Sequence, residues 1–419
     1  MPLNILYVSK GLLNPVGGAQ TASNDLLFYG LTELEDIDVY VLTDRPREFQ
    51  NKKLKKDKIK NLFVITPKRL FPLKIPKIVE SLLDWRKFRN AISILINKYK
   101  IDVVHIHGYS TFYIHPDDNW NVPIVYTLHD LPYTWSKKPI NCFPFNFVER
   151  IWYKIINWHW SSVTQLAGSR KNRIWIHALS RELYKFLNKS KNISRTSLFY
   201  APNGIYKNNL TFIDEKYLLS LNKIISNTRY KILFLGDFQN RKNLHSLIDA
   251  FKILLSKDYK VSLLIVGAPA PIIGSFYIRN MWKNISENVK NHIYLLGHVK
   301  DPVRLKTVYK SIDVVVLPSF SEVCSLIINE SIAYNKIILC SQRGSALDLL
   351  PKSLTTIDPN SMYSIVYGIE RLLKMNSMEL EELQSHLKPT KDYLEWKSLA
   401  LKFNDFYKEI KKNYTNLSV

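Results

Sequence analysis

The chain has 419 residues, more than one hydrophobic core usually holds, so two domains are expected. Hydrophobic residues make up 46% of it and the mean hydropathy is −0.13, which excludes an intrinsically disordered polymer. Lys and Arg number 59 against 36 Asp and Glu, and a formal net charge of +23 suits phosphate-bearing partners (nucleic acid, an anionic membrane face or a phosphorylated substrate) and equally a solvated Lys-rich surface.

From the N-terminus onward, short β-branched runs alternate with helical patterns. NILYVS, IDVYVLT, NLFVIT, IDVVHIH, PIVYTLH and IWIHALS read as strands in the first half; YKILFLG, KVSLLIVG, HIYLLG, IDVVVLP and KIILCS do so in the second. Most are continuous apolar runs, the pattern of strands buried on both faces of a parallel sheet with helices between them. Two such sets predict two doubly wound α/β domains. The turn at Pro202, Asn203 and Gly204 marks the break, and DYLEWKSLALKFNDFYKEIKK closes the chain with helically spaced Trp396, Leu399, Phe403 and Phe406. MPLNILYVSK reads as a strand and not as a signal peptide. The longest apolar window, VSLLIVGAPAPIIGSF, is too short to span a bilayer. Cys142, Cys324 and Cys340 are odd in number and scattered, as expected in a reducing, cytoplasmic setting.

Open parallel sheets bind ligands beyond the carboxyl ends of their strands, so the residues just after each strand are the candidates. Gly17 and Gly18 follow the first strand and precede a helical pattern starting near Ala19; they allow a ligand close to the backbone, and equally suit a plain turn. His129 ends PIVYTLH, where it faces a ligand crevice or is satisfied by local backbone. His105 and His107 share one strand face, with no further metal ligands to place beside them. Arg241 and Lys242 come where the helix after ILFLG is expected to begin, a position that suits a diphosphate seat better than ordinary surface charge. Beyond IDVVVLP, Glu322 and Glu330 bracket a helix predicted from near Ser325, with no basic residue between them. The N–H groups of Val323, Cys324, Ser325 and Leu326 suit phosphates, while a carboxylate there suits sugar hydroxyls. A helix-terminal Glu and one surface Glu fit the same letters.

Taken together, GGAQ, TLHD, HALSREL, APNGI, RKNLHSLIDAF, the Glu322–Glu330 spacing and DYLEWKSLALKF follow one another in the order found in the retaining GT-B glycosyltransferases of family 4, the "glycosyl transferases group 1" set. The resemblance covers nearly the whole chain. It implies two Rossmann-like domains facing a central cleft: an acceptor-side domain over 1–205, a nucleotide-sugar domain over 206–388, and a helix over 389–419 that crosses back to the first domain. It also implies transfer of a hexose-type sugar, with retention, from a nucleotide-diphosphate sugar to a glycan or lipid-linked saccharide. On that reading Glu322 holds the transferred sugar and Glu330 the ribose. Lys242, with Arg241, neutralises the leaving diphosphate, His129 contacts the sugar near its anomeric centre, and Gly17 and Gly18 admit donor and acceptor. No metal or other cofactor is implied. Three departures stand out: Asp237 where the family often has Arg, Val323-Cys324-Ser325 for the common Gly-Phe-Gly, and Tyr206 for Asp.

Two stretches bear on the acceptor. Residues 51–100 hold fifteen basic residues against three acidic ones, and Trp152, Trp158 and Trp160 crowd 143–160. Cations with interfacial aromatics suit peripheral docking on the cytoplasmic face of an anionic membrane, while the Trp cluster equally suits a packed core. A nucleic-acid base glucosyltransferase of the same fold would use the same charge, but no nucleic-acid recognition motif is present. A catalytically inactive GT-B binding scaffold is the third reading, and Asp237 is its main support.

Overall fold

The computed structural model of the chain describes residues 2–12, 18–44, 59–65, 77–107, 120–129, 165, 173–190, 193, 197–205, 213–225, 228–269 and 281–417, without the side chains of 77–85 and 416–417. They divide into two compact units, one within 2–205 joined by 394–417, the other within 213–393.

The first unit is built on a seven-stranded sheet: β1 (Leu3–Val8), β2 (Ile37–Asp44), β3 (Asn61–Ile65), β4 (Val103–His107), β5 (Ile124–Leu128), β6 (Ile174–Ala178) and β7 (Leu198–Tyr200). The order is β3-β2-β1-β4-β5-β6-β7 and every pairing is parallel. β4, β5 and β6 are buried at every position, as their unbroken apolar runs require, whereas β3 on the edge is largely exposed or half-buried. β7, only three residues long, is the one strand the apolar runs do not announce. The helices include α1 (Gly18–Tyr29), α2 (Lys77–Tyr99) and α3 (Arg181–Asn188), the last capped by Ser180, whose side chain accepts from the Leu183 N–H.

The second unit repeats the wiring with β8 (Tyr230–Leu235), β9 (Val261–Val266), β10 (Ile293–Gly297), β11 (Val314–Leu317) and β12 (Ile337–Cys340), ordered β10-β9-β8-β11-β12 and again parallel throughout. Around it pack α4 (Glu215–Ile224), α5 (Leu244–Ser256), α6 (Pro302–Ser311), α7 (Leu326–Ala333) and α8 (Met362–Lys374). In each sheet the strand order reverses beside the first strand, between β1 and β4 and between β8 and β11. Such a reversal parts the flanking loops and leaves a crevice at the carboxyl ends.

The last helix, α9 (Trp396–Leu417), returns to the first unit. Its Phe403, Phe406, Tyr407 and Ile410 are buried in one core with Tyr7, Val39, Val125 and Trp175, and Phe406 stacks on Phe199 at 4.2 Å between ring centroids. Asn404 and Lys408 both donate to the Asp36 carboxylate, Asn404 at 2.7 Å. The Trp396 ring lies so close to Gly204 that a Cβ there would sit 2.4 Å from it, so the PNG turn needs a glycine at this point. Next to it, the Ile205 N–H donates to the Leu394 carbonyl at 2.6 Å. No helix among the described residues is long and apolar enough to cross a membrane.

Candidate active site

The reversal point of the second sheet gathers the charged candidates. After β8 the chain turns through a 3₁₀ segment, Asn240–Lys242, before α5. Arg241 and Lys242 therefore precede the helix instead of occupying its first turn. Asn243 intervenes in a left-handed conformation (φ 58°) and locks the turn, its amide donating to the carbonyls of Pro318 at 3.1 Å and Pro359 at 2.9 Å. The strand after the reversal, β11, ends beside it, and the Phe320 N–H donates to the Arg241 carbonyl at 2.8 Å.

The result is a contact across 80 residues of sequence. The Lys242 ammonium donates to Glu322 Oε1 at 2.5 Å, while Arg241 Nη1 stands 3.8 Å from Oε2. Lys242 is 6% exposed and Glu322 8%. No basic residue lies near Glu322 along the chain, and it is strand order that supplies its cations. Burial by itself would raise the Glu322 carboxyl, but Lys242 and then Arg241 outweigh it and hold the group below the usual carboxylate range. Ionised, it has acceptors only, and so selects O–H and N–H donors. Burial pulls the Lys242 ammonium down and Glu322 opposes that pull, as does Asp237 from the exposed side of the loop.

The loop beyond β12 holds this pair from the other side. Ser341 Oγ donates to the Ser319 carbonyl at 2.5 Å, and the Ser345 N–H to the Val323 carbonyl at 2.8 Å. Gly344, at φ 55°, lies against the Glu322–Val323 backbone, where a Cβ would stand 2.3 Å from the Glu322 carbonyl oxygen. Val323 is buried, Cys324 half-buried, and Ser325 is the N-cap of α7 without a side-chain capping bond, though its carbonyl accepts from the Ile328 N–H at 3.1 Å. Glu330, partly buried within α7, accepts from the Tyr309 hydroxyl at 2.8 Å, and burial pushes its carboxyl up to about 7 against that hydrogen bond.

In the first unit the reversal point carries histidines. His129 follows β5 directly and its Nε2 lies 3.3 Å from His107 Nδ1 at the end of β4, under the Tyr7 ring. Burial lowers His129 to about 3. Deeper in the sheet a chain of hydrogen bonds runs from Tyr407 to His105 Nδ1 (2.6 Å), from His105 Nε2 to Thr127 Oγ1 (2.6 Å), from Thr127 Oγ1 to His177 Nδ1 (2.9 Å) and from His177 Nε2 to the Ala201 carbonyl (2.8 Å). A carbonyl only accepts, so His177 Nε2 carries the proton and its Nδ1 accepts from Thr127. By the same logic Thr127 accepts from His105 Nε2–H, and Tyr407 donates to His105 Nδ1. Both imidazoles are neutral in this arrangement, in accord with burial holding His177 at about 4 and His105 well below its ordinary range. Among the described residues no three His, Cys, Asp or Glu side chains converge as metal ligands do.

The structure therefore brings Arg241, Lys242 and Glu322 together and sets Glu330 on the helix that follows. It places His129 among the histidines of the other unit. Gly18 opens α1, while Gly17 lies outside the described residues, as does 143–160. Tyr309, Gly344 and the partnership of His107 with His129 are invisible in the sequence, because each depends on strand or helix neighbours far along the chain.

Two Rossmann-like units wired alike, the second with a buried cation–carboxylate pair at its reversal point, define the GT-B class of glycosyltransferase fold. Residues 16–207 match the family model "Glycosyltransferase Family 4" and residues 221–389 match "Glycosyl transferases group 1", and the chain belongs to this family. It is similar to the capsular polysaccharide biosynthesis glycosyltransferase CapM of Staphylococcus aureus, 26% identical over 212 residues that cover 46% of this chain and 53% of that protein. The chain spans about half the length of the curated relatives it matches. Among solved structures, sucrose-phosphate synthase from Thermosynechococcus elongatus superposes with a TM-score of 0.74 at 16% identity, covering 97% of this chain and 99% of that one. Anabaena Alr3699/HepE, in complex with UDP and glucose, has a TM-score of 0.65 at 15% identity, covering 97% and 98%. At these identities the likeness is one of fold.

Proposed function

We propose that this chain is a retaining, metal-independent glycosyltransferase that moves a hexose-type sugar from a nucleotide-diphosphate sugar to a glycan or lipid-linked saccharide. The observation that carries the reading is the buried Lys242–Glu322 pair at the reversal point of the second sheet. Without a donor, each charge keeps the other from being buried alone. An arriving diphosphate offers Lys242 and Arg241 a second anion, in a site already shielded from water, where stabilising the departing phosphate is worth most. Glu322, held ionised, accepts from hydroxyls of the transferred sugar, and Glu330 from the ribose. His129, kept neutral by burial, serves as a hydrogen-bonding group for the sugar and not as a cation. The complexes of HepE with UDP and glucose, and the part of CapM in capsular polysaccharide biosynthesis, support the donor and acceptor classes.

The test is nucleotide release by the purified chain from UDP-, GDP- and ADP-sugars with no acceptor added. Slow hydrolysis of one donor, abolished by Glu322→Gln and by Lys242→Met, is expected. Silence across the panel with no thermal shift from any donor would favour a binding scaffold instead.

We assign the basic window 51–100 to peripheral attachment at the cytoplasmic face of an anionic membrane. In its described part, Arg86, Lys98 and Lys100 are exposed and Ile94 is 62% exposed on α2, a cationic surface with an apolar residue in it. Co-sedimentation with vesicles containing phosphatidylserine, released by salt, is expected; no binding at low salt removes the assignment.

A further inference from the structure

Tyr309 on α6 is fully buried, and a phenol hydroxyl in a protein core requires a partner. The hydroxyl donates to Glu330 Oε2 at 2.8 Å, with the Ser331 side chain beside it as a second hydrogen-bonding neighbour. Tyr334, at the end of α7, packs its ring on Tyr309 with centroids 4.7 Å apart, so the phenol has no room to swing away. No ion pair to Glu330 forms among the described residues, and Oε1 makes no hydrogen bond among them. The titratable groups facing this carboxyl are Tyr309 from α6 and Tyr334 from its own helix, and both phenols are pushed further above their ordinary range by burial and by Glu330.

We propose that Tyr309 is the positioning residue of the donor site: it fixes one oxygen of Glu330 and leaves the other to accept a ribose hydroxyl of a nucleoside diphosphate. The inference rests on the reading that Glu330 faces the donor. A ribose diol binds best to a carboxylate with an open acceptor oxygen, whereas a protonated carboxyl turns part of that capacity into a donor. The hydrogen bond from Tyr309 favours the ionised form against the burial that pushes Glu330 up to about 7. Without the hydroxyl, burial acts unopposed and Glu330 stays protonated to higher pH.

The experiment is calorimetric titration of UDP, GDP and ADP into the full chain from about pH 6 to about pH 9, using the wild type, Tyr309→Phe and Glu330→Gln. Wild-type affinity should fall as pH drops through about 7. Tyr309→Phe keeps the ring in place and should weaken binding at neutral pH by about threefold to tenfold, approaching wild type at the alkaline end. Glu330→Gln should bind weakly and without this pH dependence. If Glu330→Gln binds like wild type throughout, Glu330 is not a donor residue and the inference falls with that reading. If Glu330→Gln loses the pH dependence while Tyr309→Phe superimposes on wild type, or is weakened equally at every pH, the positioning role alone is overturned.

Discussion

The two sheets reverse their strand order in the same way, yet each furnishes its own reversal point with different chemistry. In the first unit the strand ends carry His107 and His129, and deeper in the sheet His105 and His177 form an ordered chain that ends on the Ala201 carbonyl; burial lowers all four imidazoles. In the second the strand ends carry full charges, kept ionised by pairing Lys242 with Glu322. A buried group has these two ways to avoid an uncompensated charge, neutralisation or partnership. The first unit takes the first course at its reversal point and the second unit the other.

The largest expected effect comes from breaking the pair on one side. Glu322→Ala leaves a buried ammonium without its partner and should cost about 4 kcal/mol in the unfolding of the second unit. Lys242→Met combined with Glu322→Leu should recover most of it; additive losses in urea unfolding would mean that the two charges do not depend on each other. Acid comes next. The histidines have folded pKa values below the unfolded value of about 6.5, so the unfolded chain binds more protons and the first unit loses stability as pH falls from there. For His177, at about 4, the loss is about 3 kcal/mol by that pH. Glu330 has the opposite sign: its folded pKa is raised, so its contribution is present below about 4.5 and fades as pH rises through about 7. The two windows overlap with opposite signs, so urea midpoints across pH isolate the Glu330 part by difference: Glu330→Gln should lose stability more steeply than the wild type as pH falls from about 7 to about 4.5, and an unchanged slope would contradict the assignment. Gly344→Ala should cost about 2 kcal/mol from its left-handed backbone and displace Glu322, lowering donor hydrolysis at least about tenfold. Tyr407→Phe, the smallest change, removes one hydrogen bond to His105 and should cost about 1 kcal/mol without altering nucleotide affinity.

Much of this was legible in residue order. Strands such as IDVVVLP and PIVYTLH announce themselves because a strand buried on both faces has no polar alternation to blur it. β7 does not, since the three residues of LFY are too few to show a period. The helix expected at Arg241 and Lys242 starts instead at Leu244, because nothing in RKN signals that Asn243 turns left-handed before it. Glu322, Lys242 and Glu330 stand out by position and by family likeness, but the contact between the first two follows only from β8 and β11 being neighbours. The link from Tyr407 to His105, 302 residues apart, is beyond any local pattern and exists because α9 folds back on the first sheet.

The most direct test is nucleoside diphosphate binding to the wild type and to the neutral pair Lys242→Met/Glu322→Gln, titrated side by side with a check that both are folded. If the pair is the donor seat, the wild type binds one of UDP, GDP or ADP and the neutral pair loses about a hundredfold in affinity. Equal affinity in the two proteins would place the diphosphate elsewhere and contradict the assignment.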